Sequence, residues 1–118
     1  MESTTARLLG DETVGAVLVA EADGGVLVGV LAASWQTAIH VAGRYALIQD
    51  LWVEQAWRSQ AIGSALLDAL CRLAQERGVT RLEVGLPREH FAALASTEAF
   101  YMREGFAPLG ARMRRILP

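Results

Sequence analysis

The chain has little that would support a disulfide, a metal centre or a membrane span. Its one cysteine, Cys71, excludes an intrachain disulfide and suits a reducing compartment, so we expect a cytoplasmic protein. His40 and His90 lie far apart and lack companion ligands at the usual spacing, so we expect no metal. No apolar run reaches the roughly 18 residues that a transmembrane helix needs, and no basic leader follows Met1.

An excess of basic charge is also missing. The formal net charge is −2, which argues against a general nucleic-acid surface. With 118 residues, 53% of them hydrophobic, the chain can bury one sizeable core. We therefore expect a single α/β domain over residues 1–118, binding neither nucleic acid nor membrane.

The centre of the chain is typical of a buried strand followed by a loop and a helix. Within the predicted strand 44–53, residues 46–53 are apolar except for Gln49 and Asp50. Strand geometry predicts that these two side chains point to opposite faces. A polar loop follows over 54–61, and apolar residues at helical spacing then predict a helix that ends at Gly78. The amides that begin such a helix form a ready anion site.

The remaining elements are predicted from patterning and turn residues. Ala22–Gly25 is a turn signal between two β-rich runs and indicates a hairpin. We expect Cys71, in the middle of the central helix, to be buried. The predicted elements are one or two helical turns at Thr5–Leu9, strands at Thr13–Glu21, Val26–Trp35, Arg44–Val53 and Thr80–Leu86, a helix at Ala93–Glu104 ending at Gly105, and a last strand at Ala111–Leu117.

Three motifs, in order, resemble the GCN5-related N-acetyltransferase (GNAT) family. Arg58-x-x-Ala61-x-Gly63 is similar to that family's acetyl-CoA loop, (Q/R)-x-x-G-x-(G/A). Residues 50–53 (DLWV) resemble the strand before the loop, and residues 100–106 (FYMREGF) resemble the (F/L)Y-x-x-x-GF signature. The resemblance implies a mixed, mostly antiparallel sheet with a β-α-β core and shortened N-terminal helices. It also implies acetyl transfer from acetyl-CoA to a primary amine.

The resemblance assigns roles to individual residues. Tyr101 matches the tyrosine that protonates the coenzyme A sulfur, since a phenol is protonated at neutral pH; the alternative is a packed tyrosine with its hydroxyl in water. Asp50 would accept a proton through water or hold a cationic substrate; the alternative is a carboxylate bound to loop amides. The implied cofactor-binding residues are Leu51, Trp52, Val53, Arg58, Ser59, Gln60, Ala61, Ile62, Gly63 and Ser64.

The chain departs from the family pattern at several positions. Ala61 replaces the first loop glycine, and Leu94 replaces an asparagine that contacts coenzyme A. Leu47 occupies the position at which some relatives have a glutamate that acts as the general base. Glu54, His40 and Glu83 are weaker candidates for the base. The family normally begins with a strand and two helices, whereas this chain has only residues 1–12 before its first predicted strand. Two hypotheses follow: an N-acetyltransferase acting on a small-molecule or protein amine, with a possible homodimer, or a catalytically degenerate acyl-CoA-binding or structural module.

Overall fold

The computed structural model describes residues 4–11, 14–37, 44–85, 94–109 and 115–117. These residues belong to two compact units, Met1–Gly85 and Leu86–Pro118. The first unit is a five-stranded sheet with the strand order β1-β2-β3-β4-β5. Its strands are β1 (Thr4–Asp11), β2 (Gly15–Ala22), β3 (Leu27–Thr37), β4 (Arg44–Val53) and β5 (Val79–Val84).

The first four strands form an antiparallel meander, and β5 joins β4 in parallel. The predicted hairpin between β2 and β3 is confirmed. Its turn uses Gly24 at φ 84° and Gly25 at φ 80°, a region that residues with a Cβ adopt at a cost. The strand β4 spans the predicted residues 44–53.

The helical turns predicted at Thr5–Leu9 are wrong. This segment is the strand β1, which pairs with β2 from Thr4↔Ala22 to Asp11↔Ala16. The segment has little apolar periodicity of its own, so its structure comes from the hydrogen-bonding edge that β2 offers. The next strand begins at Gly15, so β1 passes almost directly into β2 with no room for two helices.

One helix, α1 (Ile62–Glu76), covers one face of this sheet. It buries an apolar stripe against β3 and its neighbours: Leu31, Leu66 and Leu70 are all 0% exposed. The predicted end is confirmed, because Gly78 follows the helix with φ 72°. The prediction that Cys71 is buried is wrong. Cys71 is exposed because it lies outside the stripe formed by the buried residues of α1.

The strand β4 pairs with β5 over only about half of its length. Their parallel pairing runs from Arg44↔Val79 to Ile48↔Val84. On its other side β4 pairs with β3 as far as Val53↔Gly29. Within the described residues, the β5-side edge of β4 from Gln49 to Val53 therefore has no strand partner. The last five residues of β4 thus extend beyond the end of β5, whose last residue is Val84.

The second unit contains the helix α2 (Leu94–Arg103). Gly105 follows it at φ 93°, so the predicted helix stop is confirmed. Phe106 then turns back, and its amide donates to the Tyr101 carbonyl over 3.0 Å. Residues 111–114 of the predicted last strand lie outside the described residues, and residues 115–117 have no regular structure.

The close packing of α1 against β3 can be tested at Gly29. A Cβ at this position would lie 2.9 Å from Ile62 Cγ2 and 3.1 Å from Leu66 Cδ1, both on the first turns of α1. We expect Gly29→Ala to lower the free energy of unfolding by about 1–3 kcal/mol through overpacking, measured by urea denaturation. The matched control is Gly10→Ala, where the new Cβ would have nothing within 4 Å. An equal effect of both changes would contradict the packing argument.

Candidate active site

A register shift in β4 lies where its pairing with β5 ends. Ala33 pairs with Ile48, whereas Ala32 pairs with Asp50, so Gln49 is an extra residue in the strand. This is a β-bulge, which interrupts side-chain alternation and redirects the residues beside it. The bulge residue Gln49 directly follows Ile48, the last residue of β4 that pairs with β5.

The bulge places Gln49 and Asp50 on the same face, so the prediction of opposite faces is wrong. Asp50 pairs with Ala32, which shares a face of β3 with Ser34. The Gln49 amide reaches that face too, because its Nε2 donates to Ser34 Oγ over 2.9 Å. This face is opposite to α1, since α1 lies against Gly29 and the residues that alternate with it.

The Asp50 carboxylate is exposed, and it makes no hydrogen bond or ion pair with any residue that the structure describes. The alternative in which loop amides hold it is therefore not seen among these residues. Glu83, a weaker candidate for the base, lies opposite Leu47 on β5. Its Oε2 accepts from Arg81 Nε over 2.9 Å, so its charge is matched.

The loop after β4 is a 3-10 helix, η1 (Gln55–Gln60), which includes the backbone of Ser59 and Gln60. Arg58 bends back toward the sheet, and its Nε donates to the Val53 carbonyl over 3.3 Å. The loop motif therefore remains tied to the end of β4, while the side chain of Arg58 stays exposed.

Ala61 joins η1 to α1 in the left-handed conformation, with φ 59° and ψ 28°. Among the described residues it is the one non-glycine residue with positive φ. This explains why the family favours glycine here: glycine reaches this region freely, whereas an L side chain pays about 1–2 kcal/mol. The methyl group of Ala61 is exposed.

The N-terminus of α1 fits an anion. The residue before the helix, Ala61, contributes no side-chain cap, and the first intrahelical bond runs from the Ala65 amide to the Ala61 carbonyl over 3.1 Å. The amides of Ile62, Gly63 and Ser64 precede that bond and have no acceptor within the helix. Together with the helix dipole, they suit a phosphate group such as those of coenzyme A.

The other predicted site residues of the first unit lie along β4. Leu51 and Val53 are half-buried, and Trp52 is 43% exposed on the face opposite to α1. The other two tryptophans are less exposed than Trp52. Trp57 is half-buried, whereas Trp35 is 9% exposed and packs under the Arg77 guanidinium at 5.3 Å.

Tyr101, in the second unit, is buried at 7% exposure. Its ring meets Phe100 and Phe106 edge to face, with centroids 5.1 Å and 5.2 Å away. Such contacts hold an aromatic ring in one orientation. The packing thus fixes the orientation of the Tyr101 ring.

The sequence matches the model of the acetyltransferase (GNAT) family over residues 2–106. The chain belongs to the GNAT family. The match spans both compact units and includes the loop motif and Tyr101. The chain matches no curated protein by sequence.

Solved structures share the GNAT fold with this chain. An aminoglycoside acetyltransferase from an uncultured soil metagenomic sample is 23% identical with a TM-score of 0.79, covering 92% of this chain and 69% of its own. Aminoglycoside N-acetyltransferase AAC(6′)-Iy, in complex with coenzyme A, is 12% identical with a TM-score of 0.86, covering 99% and 96%. Ribosomal-protein-alanine N-acetyltransferase from Brucella melitensis is 19% identical with a TM-score of 0.76, covering 97% and 99%.

Two further observations concern the part of the chain that the structure describes. It contains no group of three or more histidine, cysteine or acidic residues able to hold a metal ion. Its helices are too short or too polar to cross a bilayer.

The left-handed conformation of Ala61 makes a testable prediction for this GNAT protein. We expect Ala61→Gly to raise the free energy of unfolding by about 0.5–1 kcal/mol, because relief of strain exceeds the added entropy of the unfolded chain. The control Ala69→Gly, inside α1, should lower it by a similar amount. Urea denaturation of both variants measures the two effects, and destabilisation by Ala61→Gly would refute the strain.

Proposed function

We propose that this protein is an N-acetyltransferase that transfers the acetyl group of acetyl-CoA to a primary amine. One observation carries the proposal: β4 loses its β5 partner after Ile48 and leads through Ala61 into the uncapped N-terminus of α1. A strand edge without a partner suits an extended amide-containing chain, and free helix amides suit a pyrophosphate. Coenzyme A has both parts.

The proposed binding residues divide into two groups. The backbone of Leu51, Trp52 and Val53 would hold the pantetheine arm along the open edge of β4. The amides from Arg58 to Ser64 would hold the pyrophosphate, with the Arg58 guanidinium adding positive charge. Bound acetyl-CoA supplies an activated thioester, and the chain supplies orientation and charge complementarity.

Two side chains would carry out the proton transfers of the reaction. The amine nitrogen forms the new amide bond, the carbon–sulfur bond breaks, nitrogen loses a proton and sulfur gains one. Asp50, exposed beside the bulge, would hold the incoming ammonium group and accept through water the proton whose loss gives the neutral, nucleophilic amine. The second proton, which nitrogen loses after the attack, balances the proton that sulfur gains. The Tyr101 hydroxyl would supply the proton that the departing thiolate needs.

The acceptor that we favour is a small molecule. Two of the three compared structures are aminoglycoside acetyltransferases, whereas the third is named for a ribosomal protein. We further propose that residues 1–118 act as one domain, in the cytoplasm and as a homodimer.

The first test is the melting temperature with and without acetyl-CoA, with adenosine diphosphate as a comparison. Ligand at about a hundred times its dissociation constant stabilises by roughly 2.7 kcal/mol, a shift on the order of 10 °C. Gly63→Val should abolish most of this shift by blocking the approach to the helix amides, whereas Ala69→Val, further along α1, should keep it. Absence of a shift in the wild-type protein would favour the degenerate module instead.

The second test concerns Tyr101. We expect Tyr101→Phe to keep the acetyl-CoA-induced shift and to lose about 100-fold or more in kcat, because the proton donor is gone. Tyr45→Phe, which removes the only other tyrosine hydroxyl, is the control. Thiol release measures turnover cleanly because all 11 basic side chains other than histidine are arginine, so no lysine of the chain competes for the acetyl group. Unchanged turnover in Tyr101→Phe would remove this residue from the mechanism.

A further inference from the structure

Two glutamine side chains converge on one serine hydroxyl on the sheet face opposite to α1. Gln36 Nε2 and Gln49 Nε2 each donate to Ser34 Oγ, and both distances are 2.9 Å. The residues come from two strands, since Ser34 and Gln36 belong to β3 and Gln49 to β4. We call these three side chains the amide cluster.

The amide cluster lies where the proposed reaction would take place. Gln49 is the bulge residue and the first residue of β4 beyond the last β5 pair, Ile48↔Val84. Asp50 follows it on the same face, and both side chains are exposed. The cluster therefore borders the carboxylate to which we assign the incoming amine.

Counting hydrogen-bonding groups shows what the cluster still offers. Ser34 Oγ has two lone pairs, and the two amides use both, which leaves its hydrogen to donate. Each glutamine keeps its carbonyl oxygen and one N–H. Donors and acceptors thus stand side by side next to the carboxylate of Asp50.

The partner that matches this pattern is a hydroxyl group, which donates and accepts through one atom. The neighbouring Asp50 carboxylate matches an ammonium group. Trp52, exposed at 43% on the same face, adds an apolar surface that a carbon skeleton can cover. An alkyl amine without hydroxyls would leave the cluster's polar groups unpaired when it displaced their water.

We propose that the amide cluster of Ser34, Gln36 and Gln49 is an acceptor subsite that selects primary amines carrying hydroxyl groups, such as amino-alcohols and amino sugars. This inference rests on the proposed acetyl transfer and names its substrate class. Gln36, Gln49 and Ser34 determine specificity here and take no part in proton transfer.

The test compares hydroxylated and unhydroxylated amines of similar skeleton. Serinol is paired with isopropylamine, and glucosamine with cyclohexylamine, and kcat/KM is measured for each by thiol release. The ratio within each pair, divided by its wild-type value, cancels the intrinsic reactivity of the amines. We expect Gln49→Leu to lower this normalised ratio about tenfold or more and Ser34→Ala to lower it in the same direction.

The controls separate recognition from folding and cofactor binding. Gln75→Leu makes the same substitution at an exposed position of α1 and should leave the ratio unchanged. The acetyl-CoA-induced melting shift should be equal in the wild type, Gln49→Leu and Gln75→Leu. A purely structural role, in which the cluster only holds the bulge, would lower kcat/KM equally for both amines of a pair.

The outcomes distinguish this inference from the function on which it rests. A normalised ratio near one in Gln49→Leu overturns the subsite alone. The subsite alone is also overturned if acetyl-CoA shifts the melting temperature of the wild-type protein but the protein acetylates neither of the hydroxylated amines. Failure of acetyl-CoA to shift the melting temperature overturns the proposed function, and the subsite with it.

Discussion

In the part of the chain that the structure describes, the strand β4 pairs with β3 to its end but with β5 only as far as Ile48. Because β5 stops pairing at Ile48, the last part of β4 has an edge with no strand partner among the described residues, and η1 connects this part of β4 to the first turn of α1. That turn is held close to the sheet because Gly29 leaves room for Ile62 and Leu66. The open edge, the helix amides and the polar groups beside the bulge all depend on this one-sided pairing.

Much of the fold could be predicted from local signals. Local sequence patterns are sufficient to predict three elements: the hairpin from its glycines, α1 from its apolar periodicity and Gly78, and β4 from its apolar run. The strand β1 could not be predicted in this way, because its residues show little apolar periodicity. It is a strand because it pairs with the edge of β2. Cys71 shows a different limit, because central position in a helix does not determine which side of the helix a residue occupies.

The candidate site was predictable where it follows a motif and unpredictable where it depends on register. Residues 58–64 and Tyr101 were proposed from their resemblance to GNAT motifs, and their roles stay predictions. The shared face of Gln49 and Asp50 could not be predicted, because one extra residue in a strand leaves no trace in its composition. The hydrogen bond from Gln49 to Ser34 follows from that bulge, so it too appears only in three dimensions.

Among the described strands β1 is one of the two outer strands of the sheet, and its ladder is interrupted between Leu8 and Gly10. A straight, regular outer strand is a template on which another chain can add, which is how many β-proteins aggregate while folding. An irregularity there increases the local twist and breaks the regular spacing of hydrogen-bonding groups. The small defect in β1 thus works as a safeguard for a newly made chain, discouraging open-ended stacking of sheets.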